Sequence, residues 1–130
     1  MPPVQRFEDL IAWQKARNLA ARLREVMNGP AFQRDCRLRD QIGSAAVSIM
    51  ANLAEGFERG GRGEFHHFVC IAKGSCGELR SHLYAALDAG YLDQNLATAL
   101  IGVTSEVSRI LGGLRAALAR QRATQHPRRT

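Results

Sequence analysis

Apolar residues recur at steps of three and four along nearly the whole chain, and this period constrains the fold more than any other feature. The first stretch runs Leu10, Trp13, Ala16, Ala20, Leu23 and Met27, then meets Asn28-Gly29-Pro30, which suits a helix stop. A second runs Leu38, Ile42, Ala45, Ile49, Leu53 and Phe57 up to the glycines at 60, 61 and 63. The third runs Phe65, Phe68, Ala72, Cys76, Leu79, Leu83 and Ala86 and ends at Ala89-Gly90. The fourth, with Asp93 placed to cap it, runs Leu96, Leu100, Val103, Val107, Ile110, Leu114 and Leu118. No segment alternates apolar and polar residues between hairpin turns. Four helices of about 20–25 residues, each roughly 30–37 Å long and joined by short links, predict an all-α, up-down-up-down antiparallel four-helix bundle. One domain over residues 7–120 follows, between a flexible N-terminus (1–6) and a basic flexible tail (121–130).

The second and third helices carry more apolar surface than one stripe requires. "AAVSIMANLAEGF", residues 45 to 57, interrupts its apolar and glycine content only with Ser48, Asn52 and Glu55. Phe68-Val69-Cys70-Ile71-Ala72 is apolar through more than a turn. A helix apolar on several sides needs burial on several sides, so these two helices predict a homo-oligomer.

The totals are those of a soluble globular chain: 45% hydrophobic, 23% charged, and no run near the roughly 18 apolar residues of a membrane span. The start, MPPVQRFEDL, lacks the apolar core of a signal peptide. Three cysteines without a C-x-x-C pair fit a reducing, cytoplasmic setting in which cysteine serves as a small buried residue. The net charge of +6 is concentrated late in the chain, because Arg115, Arg120, Arg122, Arg128 and Arg129 follow one another without an intervening acid. Such a tail can attract phosphate by releasing counterions, and these five arginines are the candidate nucleic-acid contacts.

Several short patterns also resemble a known family. They are Phe7-x-x-Leu10-x-x-Trp13-x-Lys15-Ala16, then Gln41, then Ala45-Ala46-x-Ser48-Ile49-x-Ala51-Asn52-x-Ala54-Glu55-Gly56 and Arg59. Glu64-Phe65-x-x-Phe68, Ala72-x-Gly74-Ser75-x-x-Glu78-Leu79 and Gly90-Tyr91-Leu92 follow. Across residues 7 to 118 the chain resembles the four-helix-bundle proteins encoded in intervening sequences of bacterial 23S ribosomal RNA genes. These are also labelled ribosomal-protein-like and are related to accessory proteins of diversity-generating retroelements. The resemblance implies a ring of subunits, a pentamer, without enzymatic activity or cofactor and associated with RNA or a ribonucleoprotein. Where members often carry a basic pair before the Ala-Ala step, this chain has Gly43 and Ser44. Where many carry proline it has Met50, so the second helix is expected to run unkinked.

Two polar lines cross the apolar surroundings. Ser48, Asn52 and Glu55 lie at i, i+4 and i+7, with Arg59 four residues beyond Glu55. Ser75, Glu78 and His82 lie at i, i+3 and i+7 on the next helix. Facing each other or a neighbouring subunit, they can form a hydrogen-bonded network that sets register and subunit geometry, as polar groups do in coiled bundles. Contact with a ligand or RNA is the other role open to them.

Two catalytic readings compete. A di-metal bundle needs carboxylates from two helices and a Glu-x-x-His motif from each of two others, and only Glu64 to His67 supplies one. An endoribonuclease could pair Arg59 with His66, or Arg62 with His67, for proton transfer and charge stabilisation at phosphorus. No phosphate-cradling glycine loop, nucleophile elbow or zinc spacing is present, and no small-molecule substrate is evident.

Overall fold

The computed structural model describes residues 4–125, with side chains through Gln121. Four α-helices carry the fold: α1 (Ile11–Met27), α2 (Cys36–Glu58), α3 (Arg62–Asp88) and α4 (Gln94–Gln125). Two 3₁₀ turns, Phe7–Asp9 and Pro30–Arg34, precede α1 and α2, and no strand occurs among the described residues. α4 carries on to Gln125, past the boundary expected at residue 120.

Each break has a local cause. Pro30, which cannot donate a backbone hydrogen bond, opens the turn after α1, and Gly29 there keeps an ordinary φ of −66°. Gly60 alone takes the left-handed conformation between α2 and α3 (φ +82°), whereas Gly61 is extended and Gly63 already helical. The third helix therefore starts before Phe65, where its apolar stripe begins. Gly90 (φ +81°) ends α3, and the Tyr91 N–H reaches back to the Ala86 carbonyl at 2.9 Å, closing a Schellman-type cap. Asp93 caps α4 by accepting from the Leu96 N–H at 2.8 Å. Asp35 has two tasks: Oδ1 accepts from the Leu38 N–H at 3.0 Å, and Oδ2 accepts from the Tyr91 hydroxyl at 3.2 Å. The start of α2 is thereby tied to the α3–α4 turn. Burial, then the Asp35 carboxylate, raises the Tyr91 pKa.

The core is one cluster fed by all four helices. Leu19, Leu23, Phe32, Ile42, Ile49, Leu53, Leu79, Leu83, Leu100 and Leu111 are buried almost completely, each contributing about 1.5–3 kcal/mol of apolar burial. α3 shares its largest interfaces with α2 and α4, and α1 touches α4 least. Met50 leaves α2 as one uninterrupted helix. Only Cys76 behaves as a buried cysteine: Cys70 is half-buried and Cys36 is exposed, so two of three depart from the expected core role. Among the described residues, no helix is long and apolar enough to cross a membrane.

Candidate interface seam between the middle helices

The α2–α3 seam is set by a glycine. A Cβ on buried Gly56 would stand 2.5 Å from the Phe68 Cβ, closer than side-chain atoms can approach. Only glycine lets the two backbones meet there. From that point the helices run alongside each other, and Ser48 comes level with Ser75, their hydroxyl oxygens 3.0 Å apart.

Three groups of polar side chains follow one another along this seam. In the middle, Asn52 Nδ2 donates to both the Ser48 carbonyl (2.8 Å) and Ser48 Oγ (2.9 Å), and Ser75 Oγ donates to the Ile71 carbonyl (3.3 Å). Using each proton once, the chain runs from Asn52 to Ser48, from Ser48 to Ser75, and from Ser75 to the Ile71 backbone. Aligned bonds of this kind strengthen one another where the surroundings are half-buried. The Asn52 Oδ1 receives no donor from the described residues.

Toward the α2–α3 turn, Arg59 Nη2 bonds Glu55 Oε1 at 2.9 Å, and its Nη1 lies 3.6 Å from Glu64 Oε2. The same guanidinium sits over the Phe68 ring, 5.2 Å from its centre. The Glu55 hydrogen bond, then its charge, raises the Arg59 pKa. Toward the other end, His82 Nε2 is 3.3 Å from Glu78 Oε1. All seven residues singled out from the sequence therefore lie on this pair of helices. Within one chain they form three groups, and among these seven only Ser48 and Ser75 bond each other across the seam.

The same two helices also leave apolar surface open. Val47 on α2 is 47% exposed and Ile71 on α3 is 39% exposed, although neither is near a chain end. These are the surplus positions of the two over-apolar runs, since Ala45, Ala46, Ile49, Leu53, Val69 and Ala72 around them are buried.

The α3–α4 seam carries a polar link that the sequence reading missed. Lys73 Nζ donates to Ser108 Oγ at 2.8 Å, and Thr104, wholly buried one turn earlier on α4, bonds the Leu100 carbonyl at 2.8 Å. Thr104 and Ser108, spaced i and i+4 on the core stripe of α4, were the available signal. Burial pushes the Cys76 thiol up to about 11, against the opposing pull of Lys73 and Arg80 on either side.

Of the candidate nucleic-acid contacts, Arg115 and Arg120 are exposed on α4. Arg120 lines a cleft of about 280 Å³ together with Arg62, Ala117 and Gln121. The Arg122 side chain, and Arg128 and Arg129 entirely, lie outside the described residues. For the catalytic readings, the described residues contain no group of three or more His, Cys, Asp or Glu side chains able to hold a metal. Arg59 is engaged by two carboxylates, while His66 is near the Cys70 sulfur at 4.0 Å and His67 packs edge-on to Phe68. No hydrogen bond joins Arg59 or Arg62 to either histidine.

Comparison with known proteins adds two findings. A family model described as 23S rRNA-intervening sequence protein matches residues 8–113. Among solved structures, a protein of unknown function from the S23 ribosomal protein family of Bacteroides thetaiotaomicron has the same fold, with a TM-score of 0.73 at 19% identity. That alignment covers 81% of this chain and 98% of the other. No curated protein gives a significant match.

Proposed function

The chain belongs to the 23S rRNA-intervening sequence protein family, and from that premise we propose that it is a non-enzymatic interaction scaffold, a homo-oligomeric ring of five subunits associated with RNA or a ribonucleoprotein. The observation that carries this reading is the exposure of Val47 and Ile71, large apolar side chains left open in the middle of α2 and of α3. Covering such a patch removes apolar surface from water, which is the main driving force of association. Asn52 Oδ1, which receives no donor from the described residues, offers a neighbour a directional contact, which selects one docking geometry among many.

RNA association rests on charge. The arginines of the fourth helix follow Glu106 without another acid, and Arg62 and Arg120 line one cleft. Aromatic side chains are mostly committed to ring contacts within the fold, such as Phe57 with Phe65 and Phe32 with Tyr91, so base stacking contributes little. Binding is then mainly electrostatic and steeply salt-dependent.

Light scattering at micromolar concentration tests the assembly. A mass several times that of one chain is expected, and a monomer overturns the reading. For RNA, binding isotherms at several salt concentrations should lose slope when Arg115 and Arg120 become glutamine. A salt-independent, sequence-specific complex would contradict the electrostatic picture.

A further inference from the structure

Residues 62–92 carry three basic and three acidic groups, a neutral total that hides a division by side. At about 100° per residue, Arg62, His66, Lys73 and Arg80 share a sector of α3 about 40° wide. Lys73 bonds Ser108, so this sector borders α4. Glu64, Ile71 and Glu78 share a second sector of about the same width, roughly opposite. It borders α2, which Ser75 touches through Ser48. Asp88, the last residue of the helix, falls between the two.

The basic sector is not neutralised within the chain, and the acidic one only in part, since Glu64 pairs with Arg59 at 3.6 Å. Among the described residues, no carboxylate lies within ion-pairing distance of Lys73 or Arg80, although both are half-buried and the Arg80 Nε is covered without any acceptor. Glu78 has only His82. A partly desolvated cation without a counter-charge is costly, and an anion brought alongside its open end relieves that cost. Exposed apolar side chains accompany both charges: Ile71 lies in the acidic sector, and Tyr84, 54% exposed, in the basic one.

Between the flanks runs a strip of small residues. Gly74 borders the acidic sector and Gly77 the basic one, and a Cβ at either would meet nothing within 4 Å. Both have negative φ inside a regular helix. Glycine is the poorest non-proline residue for such a position, so neither backbone conformation nor packing within the chain accounts for it. Close approach of another backbone does.

We infer that α3 is the hinge line of the assembly: the acidic, apolar flank it shares with α2 in one copy receives the basic flank it shares with α4 in a second copy, and Gly74 and Gly77 let the two chains approach closely. This rests on the homo-oligomeric reading above and adds to it which surfaces meet. Contact between unlike faces is also what a closed ring of more than two subunits requires.

Charge reversal tests the pairing. Glu78→Arg replaces an exposed charge and Arg80→Glu a half-buried one, neither with a strong partner within the chain, and circular dichroism should show unchanged helical content for both. Each alone should weaken self-association about tenfold or more, because like charges then face each other. The double variant, in which every contact again pairs opposite charges, should regain the wild-type mass in sedimentation velocity. Gly74→Leu gives an independent arm: it should raise the helicity of the dissociated chain yet lower the oligomer population. Wild-type oligomers untouched by either reversal overturn the pairing while leaving the assembly intact. A monomeric wild type overturns both. An oligomer that survives Arg80→Glu but loses affinity for a mixed-sequence single-stranded RNA also overturns the pairing, and assigns the basic flank to phosphate.

Discussion

The two seams of α3 are built from the same kind of helix and behave oppositely. On the α2 side the backbones are forced together at Gly56 and the polar groups satisfy one another through Asn52, Ser48 and Ser75. Toward the α4 side Gly77 stands in open space, and Lys73 ends on a hydroxyl rather than a carboxylate. Glycine thus serves two purposes within one helix pair. At Gly56 it is needed by the chain itself; at Gly77 the chain has no use for it.

Alanine substitutions along the seams break or sharpen that contrast most directly. The largest effect is expected from Leu53→Ala, which opens a void at the centre of the α2 contact and should cost about 2–5 kcal/mol in chemical denaturation. Gly56→Ala should follow, at about 1–3 kcal/mol, because the added methyl meets the Phe68 Cβ and the helices must separate. Gly77→Ala should have the opposite sign, stabilising the dissociated chain by up to about 1 kcal/mol through helix propensity alone. Equal effects at Gly56 and Gly77 would erase the distinction between the seams. Asp35→Ala should remove about 1 kcal/mol of capping and release Tyr91 as well. The smallest effects are expected in reactivity: Cys36 should label with a thiol reagent at pH 8 at once. Cys76, buried and with its pKa pushed up to about 11, should label only on unfolding.

Asn52→Leu separates the two functions of the α2 seam. It removes the donor that orders Ser48 without touching the glycine contact, so it should change the assembly state more than the thermal midpoint. An oligomer of unchanged size and stability would leave Asn52 without a role in the interface.

Much of the bundle was legible in the sequence because helix formation is local. The step of three and four marked each buried stripe, Pro30 and Gly90 marked two of the stops, and Asp93 marked the cap of α4. The same locality explains the misplaced third helix. Gly61 and Gly63 read as breakers, but only Gly60 adopts a positive φ, and a helix can begin on glycines when its N-terminal donors face water. The cysteines were misjudged because composition favours burial without saying which residue faces the core, and Cys36 falls at an exposed helix start.

The candidate site divided in the same way. Spacing put Ser48 and Asn52 on one line, and Ser75 on the neighbouring helix; it could not say that Ser48 and Ser75 stand level, which depends on where Gly56 meets Phe68. Lys73 and Ser108, 35 residues apart, have no relation that a helical period reveals. By itself the sequence determined four helices, their stops, their inward faces and two helices with apolar surface to spare, because each follows from the chemistry of residues a turn apart. The tertiary structure decided the rest: which polar groups close on each other, which glycines are squeezed and which stand open, and which neighbouring helix each charged side of α3 borders. Those depend on the relative position of helices brought together only by burying a common core.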